Sequence, residues 1–542
     1  MVEIDSSHYR VNAVKKGGMG IVYLCYDLRF KRLVALKSFQ DSHLKDRAKV
    51  KRFIWEAETW IRLEKHPNIV QAYYVEMVEN RPYICIEYVE GDERFGSDLV
   101  GWIRKGVLDL PGILDFAIQI CSGMIHADKK FTDLGRIFIF RDIKPSNIMV
   151  TKERVVKITD FGLVKLAHEI DSDPTLDTPA NLSADMDTMI LSRPGTIAGT
   201  PPYMAPELWE GQSIDNGVDI YAFGCLLYEM ITGLPPFSAN NIDEMMDKHL
   251  LEVPKPLPFA PKSVNVIISK CLEKNRSKRY ANFSEIKNDL TPIYEAVTGT
   301  KYVQLATGDN LDVWELVNKG ISLLNLKYYN DALNCFNQAI ESMPNFAEAY
   351  LNRAVLYRAL NDFPHALADY VTAINLKPKD PDAYFNRGNT LRAMGRIEEA
   401  LKDYRSALLL RPDYAGAYFN MGSLYRDVGN TAEALSNYDK AIELKPGASN
   451  YLYNRGCIYQ QSNRLKDAMD DYKKAIDLNT DFTPAYYNYA LCMELSGQIH
   501  QALELWEKYI TAARDDPSQQ KWIESVEQHI EELKTSLPSL SA

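Results

Sequence analysis

Apolar and polar residues alternate in IVYLCY (21–26) and LVALKSF (33–39), and the runs KKGGMG and DLRFKR interrupt them. A period of two with Gly-rich and charged breaks predicts short strands joined by turns, each strand with one buried face. Around residue 43 the period changes. Phe53, Ala57, Trp60, Ile61 and Leu63 fall at helical spacing, and helical patterns dominate from about residue 113 onward. The expectation for residues 8–295 is a small β-rich lobe over about 8–90, followed by a larger helical lobe over about 91–295.

Beyond residue 312 the pattern itself recurs every 34 residues, counted from Val313. The eighth position of successive windows is Gly320, Ala354, Gly388, Gly422, Gly456 and Ala490, and the twentieth is Ala332, Ala366, Ala400, Ala434, Ala468 and Ala502. The twenty-fourth is aromatic (Phe336, Tyr370, Tyr404, Tyr438, Tyr472, Trp506), and Pro344, Pro378, Pro412 and Pro446 close the first four windows. Small residues where two helices touch, an aromatic to fill the gap and a helix-stopping turn predict six stacked helix pairs over 313–516. Trp522, Ile523, Val526, Ile530 and Leu533 add one amphipathic helix, 517–536, as a cap. Residues 296–312, polar and containing Gly and Thr, read as a linker. The windows resemble the tetratricopeptide repeat (TPR), an all-α solenoid.

A chain of 542 residues is too long for one core, since single cores stop growing at roughly 250–300 residues. Hydrophobic residues make up 46% and charged residues 25%, ordinary values for globular domains. Lys and Arg number 37 against 41 Asp and Glu in residues 1–300, and 25 against 32 in 301–542. Neither half has the basic excess of a nucleic-acid binder. The eight cysteines are scattered without a C-x-x-C pair, which speaks against a zinc site or a disulfide framework and for a reducing compartment. No apolar run of about 18 residues occurs, and the N-terminus lacks a basic-then-apolar layout. The expected protein is soluble and cytoplasmic, with no membrane span.

The residues that carry chemistry come in a fixed order. Lys16-Gly17-Gly18-Met19-Gly20-Ile21-Val22 falls between two strand patterns, where backbone N–H groups can cover phosphates. Val34-Ala35-Leu36-Lys37 puts a lysine on the next strand. Arg141-Asp142, Lys144 and Asn147 follow in RIFIFRDIKPSNIMV, then Asp160-Phe161-Gly162 and Ala205-Pro206-Glu207. Together they resemble the signature set of eukaryotic-type Ser/Thr protein kinases, and GGMG with His66-Pro67-Asn68 is similar to the bacterial branch.

The resemblance implies an α+β bilobal protein kinase fold over residues 8–295, followed by the all-α TPR solenoid. It implies ATP with Mg²⁺, or Mn²⁺, as cofactors. Lys16, Gly17, Gly18, Gly20, Val22 and Ala35 would surround the nucleotide, backbone groups of Glu87 and Val89 would hold adenine, Lys37 the α- and β-phosphates, and Asn147 and Asp160 the metal. Asp142 would orient the substrate hydroxyl and accept its proton, and Lys144 would neutralise the moving phosphoryl group. Glu56 and Glu58 compete as the helix partner of Lys37. Four residues beyond Glu56 is Trp60, which suits the family's apolar stack to the Phe of D-F-G, whereas four beyond Glu58 is Arg62; Glu56 is the expected partner. Asp219 resembles the family's brace for the catalytic loop, and Arg279 the partner of Glu207.

The segment from Asp160 to Glu207 runs 48 residues, and its middle carries Glu169, Asp171, Asp173, Asp177, Asp185 and Asp187 without Lys or Arg. By resemblance Arg141 awaits a phosphate on this segment; Thr196 is the first candidate, with Thr188 and Ser192 behind it, and Thr200 is the residue expected at the catalytic Asp and Lys. In the repeats, position six is always asparagine: Asn318, Asn352, Asn386, Asn420, Asn454 and Asn488. Phe385, Phe419, Tyr453 and Tyr487 precede four of them, and Arg358, Arg392 and Arg426 occupy position twelve. In TPR superhelices this face lines a groove that would suit an extended, partly acidic peptide; the competing reading is that the asparagines cross-link helices.

Two functions follow. One is an ATP-dependent Ser/Thr protein kinase whose TPR array recruits protein substrates or regulators. The other is a pseudokinase scaffold whose repeats are the working part, motivated by Phe140, where the family has histidine, and by Lys15, at the place of the first loop glycine. A small-molecule kinase is disfavoured by the intact GTPPYMAPE segment.

Overall fold

The computed structural model of the chain describes residues 9–16, 20–28, 31–39, 47–78, 81–161, 165–168, 200–305, 311–514 and 519–536. Alternation produces a five-stranded antiparallel sheet from β1 (Tyr9–Lys16), β2 (Gly20–Asp27), β3 (Arg32–Phe39), β4 (Ala72–Val78) and β5 (Arg81–Glu87), in the order β1-β2-β3-β5-β4. Strand β4 is therefore an edge. Between β3 and β4 runs α1 (Arg47–Leu63), whose Phe53, Ala57, Trp60, Ile61 and Leu63 are all buried, the face that the helical spacing specifies.

The larger lobe contains α2 (Leu99–Arg104), α3 (Leu110–Thr132), the strands β6 (Arg136–Ile139), β7 (Ile148–Val150), β8 (Val156–Ile158) and β9 (Lys165–His168), then α4 (Gly217–Thr232), α5 (Ile242–Leu251), α6 (Lys262–Cys271) and α7 (Phe283–Thr298). Helix α3 is long and apolar enough to cross a membrane, but it is mostly buried; Ile118, Ile120 and Cys121 are fully enclosed, as in a core helix. Asp109 caps its first turn by accepting from the Gly112 N–H. Helix α7 runs through the end of the expected lobe and stops at Gly299, which adopts φ 69°, a left-handed conformation open to glycine without strain.

Six helix pairs follow: α8 (Val313–Asn325) with α9 (Tyr329–Ser342), α10 (Ala347–Ala359) with α11 (Phe363–Leu376), α12 (Pro381–Ala393) with α13 (Ile397–Leu410), α14 (Ala415–Asp427) with α15 (Thr431–Leu444), α16 (Ser449–Gln461) with α17 (Leu465–Leu478), and α18 (Thr483–Leu495) with α19 (Ile499–Ala513); α20 (Gln520–Ser536) ends the series. The chain divides into two compact units, Met1–Gln338 and Ala339–Ala542. The division falls inside the first repeat's second helix, α9, and not in the expected linker.

Within the second unit the periodic residues do what their sizes allow. Ala366, Ala400, Ala434, Ala468 and Ala502 are fully buried, as are Tyr370, Tyr404, Tyr438 and Tyr472. A Cβ on Gly388, Gly422 or Gly456 would lie 2.8–2.9 Å from the tyrosine ring of the same repeat, so the glycines are set by helix contact. Arg353, Arg387 and Arg455 at position seven each form a two-armed ion pair with Asp369, Asp403 and Asp471 at position twenty-three. The fourth repeat has Met421 and Asn437 at those positions. In the cap, Ile523, Val526 and Ile530 pack on Trp506 and Tyr509, while Trp522 stays 56% exposed.

Candidate active site

Strand β3 presents Lys37 toward α1, and its Nζ bonds the Glu56 carboxylate and Asp160 Oδ1, the latter at 2.7 Å. Burial opposes the lysine's charge, yet the two carboxylates raise its pKa above the ordinary value. Glu58, the other sequence candidate, points elsewhere and takes Arg62 Nε at 2.9 Å and Arg136 at 3.1 Å. The residue four beyond Glu56 also lands as its spacing implies: Trp60 lies 5.5 Å from the Phe161 ring, and Phe140 meets Phe161 edge-on at 5.1 Å. Trp60, Phe140 and Phe161 are all at most 1% exposed.

Hairpin β7–β8 sets the next pair. Ile148 pairs with Ile158, and the Thr159 N–H donates to the Asn147 carbonyl at 3.0 Å, so Asn147 and Asp160 flank the same end. Asn147 Nδ2 donates to the Asp142 backbone oxygen and to its Oδ2 at 3.0 and 2.7 Å. Lys144 Nζ reaches both Asp142 carboxylate oxygens at 2.9 and 2.8 Å and Thr200 Oγ1 at 3.1 Å. Thr200 in turn donates to Asp142 Oδ1 at 3.3 Å. Asp142, Lys144, Asn147 and Thr200 thus form one network, and Lys37, Glu56 and Asp160 a second.

The loop that carries Asp142 is braced from below. Asp219, in the first turn of α4, accepts the Phe140 and Arg141 N–H groups, both at 2.7 Å. Burial pushes its carboxyl up to about 7, against the pull of these two donors. Arg141 and Asp160 both adopt left-handed backbone, φ 65° and 70°, a conformation that costs non-glycine residues energy and concentrates at functional sites. Arg279 grips Glu207 with two arms at 2.7 and 2.9 Å; both side chains are almost wholly buried.

Other expected residues are placed with less to say. Val22 and Ala35 lie on paired strands, with Val22 opposite Lys37, and Val89 is buried. A Cβ on Gly20 would come within 3.1 Å of the Ser38 carbonyl, so sheet packing alone favours glycine there. The side chain of Glu87 is tied to Lys157 at 3.0 Å. Gly17, Gly18, the side chain of Lys16, and Thr188, Ser192 and Thr196 lie outside the described residues.

Several of the repeat asparagines make bonds within the protein. Asn420 Nδ2 donates to Asn389, Asn488 Nδ2 to the Tyr453 hydroxyl, and Asn454 accepts from Arg426. Asn352 donates to the carbonyl of Glu348, one turn back. Arg392 approaches Asp427 at 3.6 Å, and Arg358 Nε is buried without a hydrogen-bond partner. Asn386 sits half-buried beside Phe385, which packs on Tyr404 and Tyr414. Asn318 lines a cavity of 620 Å³ in the first unit, together with Arg32, Tyr73, Glu315 and Lys319.

Residues 10–290 match the protein kinase domain family. TPR families match at 356–391, 388–429 and 413–481. A probable serine/threonine-protein kinase of Clostridium acetobutylicum is 32% identical over 297 residues, 53% of this chain and 40% of that protein. Serine/threonine-protein kinase pkn3 of Myxococcus xanthus is also 32% identical over 297 residues, 53% of this chain and 50% of the relative. PknB of Mycobacterium leprae is 30% identical over 286 residues, 51% and 41% of the two chains. The match thus covers half or less of each relative's length. Its ordered lysine, aspartates and asparagine, and the match over more than half its length, make this chain a member of the protein kinase family, with tetratricopeptide repeats following the kinase domain.

Proposed function

We propose that the chain is an ATP-dependent Ser/Thr protein kinase that acts in the cytoplasm on protein hydroxyls. The observation that carries this is the joined network of Asp142, Lys144, Asn147 and Thr200, set beside the Lys37–Glu56 pair. Asp142 is positioned to accept the proton of a serine or threonine hydroxyl as its oxygen bonds to the γ-phosphorus and ADP leaves. A placed general base contributes typically about 10²- to 10⁴-fold. Lys144 bonds both Asp142 and Thr200, which holds the base and brings a positive charge to the transferring phosphoryl group. Lys37, kept charged by Glu56 and Asp160, suits the α- and β-phosphates. Phosphoryl transfer asks mainly for such positioning and charge neutralisation.

The donor set also fits a divalent cation. Asn147 uses its Nδ2 on Asp142, so its amide oxygen would be the donor to hold a cation, and Asp160 supplies a half-exposed carboxylate. Among the described residues no three His, Cys, Asp or Glu side chains cluster as a metal site. A hard cation completed by phosphate oxygens, Mg²⁺ before Mn²⁺, matches one carboxylate and one amide. Bound there, it would screen phosphate charge.

Thr200 and Ala205–Glu207 belong to the intact GTPPYMAPE segment expected to dock a peptide, which favours protein over small-molecule substrates. The TPR array is proposed to recruit those substrates or their regulators. The eight cysteines are scattered without a C-x-x-C pair, a spacing that favours a reducing compartment. The decisive experiment compares wild type with Asp142→Ala, using labelled ATP-Mg²⁺ and mapping the modified residues. Transfer by the parent and its loss in the variant is expected, with Thr196, Thr188 or Ser192 among sites of self-modification. Equal labelling in both, or none in either alongside ATP-Mg²⁺ binding, would leave the scaffold reading in its place.

A further inference from the structure

The first repeat departs from the second, third and fifth at positions where it meets the small lobe. Position seven is Lys319 and position twenty-three is Cys335, so the arginine–aspartate pair of the second, third and fifth repeats cannot form. Lys319 instead reaches Glu64, just past the end of α1, at 2.5 Å. Position sixteen, a polar residue at the start of the second helix elsewhere (Asp362, Arg396, Asn430, Arg464, Gln498), is Tyr328; its hydroxyl bonds the buried Glu58 carboxylate. Asp331 takes Arg62 at 2.6 Å. Three α1-region side chains, at 58, 62 and 64, are therefore held by the first repeat: by Tyr328 in its turn, Asp331 in α9 and Lys319 in α8.

The same repeat also completes the sheet. The edge strand β4 directs the Val75 N–H to Ser322 Oγ at 2.8 Å, and the Val75 carbonyl accepts from Asn325 Nδ2 at 3.0 Å. Val75 and Ser322 are both buried, where unpaired backbone groups are costly. Position ten is Leu356, Thr390, Leu424, Ile458 or Cys492 in the other repeats. The Ser322 hydroxyl donates to the Asn318 carbonyl of its own helix and accepts from the sheet's Val75 N–H.

Helix α1 also carries Glu56, one turn from Trp60 in the aromatic stack, and a helix moves largely as one body. We propose that Tyr328 and Lys319 are positioning residues for phosphoryl transfer: they fix α1 so that Glu56 stays on Lys37, and the kinase unit is complete only when it includes the first repeat. The proposal rests on the kinase reading above, and its test separates the two.

The experiment uses the full chain with Tyr328→Phe, Lys319→Met and Lys319→Arg, and reads two quantities. One is hydrogen exchange of the α1 backbone amides without nucleotide; the other is kcat/KM for ATP beside the KM for a protein substrate. Removing the Tyr328 hydrogen bond to the buried Glu58 carboxylate should speed α1 exchange and lower kcat/KM for ATP by about tenfold, with the KM for the protein substrate unchanged; Lys319→Met should act in the same direction but less, because Glu64 is 22% exposed and also paired with Lys130. Lys319→Arg, which keeps a donor for Glu64, should retain parental values. If Tyr328→Phe and Lys319→Met leave α1 exchange within about twofold of the parent, or if Lys319→Arg fails as Lys319→Met does, the positioning role is wrong. A parent that transfers no phosphate would defeat the kinase reading alone, because α1 exchange still decides this one.

Discussion

Replacing Phe140 tests whether its ring or a missing polar group matters. The side chain is fully buried, sits edge-on to Phe161 at 5.1 Å, and its own N–H is held by Asp219. Phe140→Ala removes a complete buried ring, which typically costs about 3–5 kcal/mol. It also leaves Phe161, next to Asp160, without its lower support, so activity should fall at least as steeply as stability. Phe140→His keeps a flat ring and most of the aromatic contact, worth about 0.5–1.5 kcal/mol. Its ring nitrogens enter a site walled by Phe161 and the loop backbone, at about 1–3 kcal/mol if one stays unpaired. The retained contact cancels against the parent, so the change is that cost less about 0.5–1.5 kcal/mol for any hydrogen bond the ring makes to nearby backbone, and a net of about 1.4 kcal/mol is tenfold in rate. The assay is kcat on a peptide substrate, alongside urea unfolding followed by hydrogen exchange of α3. Phe140→His should stay within roughly tenfold of the parent, and Phe140→Ala should lose both stability and turnover. A gain of several hundredfold in Phe140→His would refute the reasoning, since the native loop would then be the impaired one.

Three further outcomes are expected. Arg279→Met strands the buried Glu207 carboxylate and should destabilise the large lobe by about 3–5 kcal/mol; Arg279→Met with Glu207→Gln should recover part of that in thermal unfolding. Arg387→Met breaks a two-armed pair to Asp403, whose side chains are 23% and 5% exposed, and should cost the second unit about 1–3 kcal/mol in chemical denaturation, whereas Met421→Ala removes no ion pair. Burial depresses the pKa of both His66 and His249 to about 3; Lys274 adds to it at His249. Each is buried neutral, so the unfolded chain takes up more protons once pH drops below about 6.5. Stability should fall by up to about 1.4 kcal/mol per pH unit for each histidine from there toward pH 3, offset in part by Asp219, whose raised carboxyl takes its proton first in the folded state; the measurement is the difference in urea midpoint between the parent and His249→Gln, in which Asp219 cancels, and an unchanged pH dependence between pH 7 and 5 would contradict the assignment.

Much of this was readable in the sequence because the residues involved have few alternatives. Lys37 sits within a strand and Asp142, Asn147 and Asp160 at turns or strand ends whose neighbours carry strong local patterns, and the family's apolar stack, with Trp60 set against Arg62, separated Glu56 from Glu58. The repeats were legible because Gly388, Gly422 and Gly456 have no room for a methyl beside the tyrosines. The grip of the first repeat on α1 was not legible by that route. It depends on Glu58, Glu64 and Val75 meeting residues about 250 positions away, and no local pattern encodes such a pairing. A signal was nonetheless present, since Cys335 stands where three other repeats have the aspartate that pairs with arginine. The asparagine at position six shows the opposite problem: one residue type, fully regular, serves several different local bonds.

The covered edge of the small-lobe sheet bears on how such a chain can be handled. A fragment cut in the 296–312 segment, where a composition-based boundary would fall, would bare β4 with its Val75 amide and carbonyl unpaired. An exposed, apolar edge strand is a template for pairing with another copy, so that fragment should precipitate or self-associate where one ending beyond residue 338 stays dispersed. The first repeat then serves as a guard against aggregation as well as the start of an array. Loss of the later repeats should leave the β4 edge covered, whereas loss of this one should bare it.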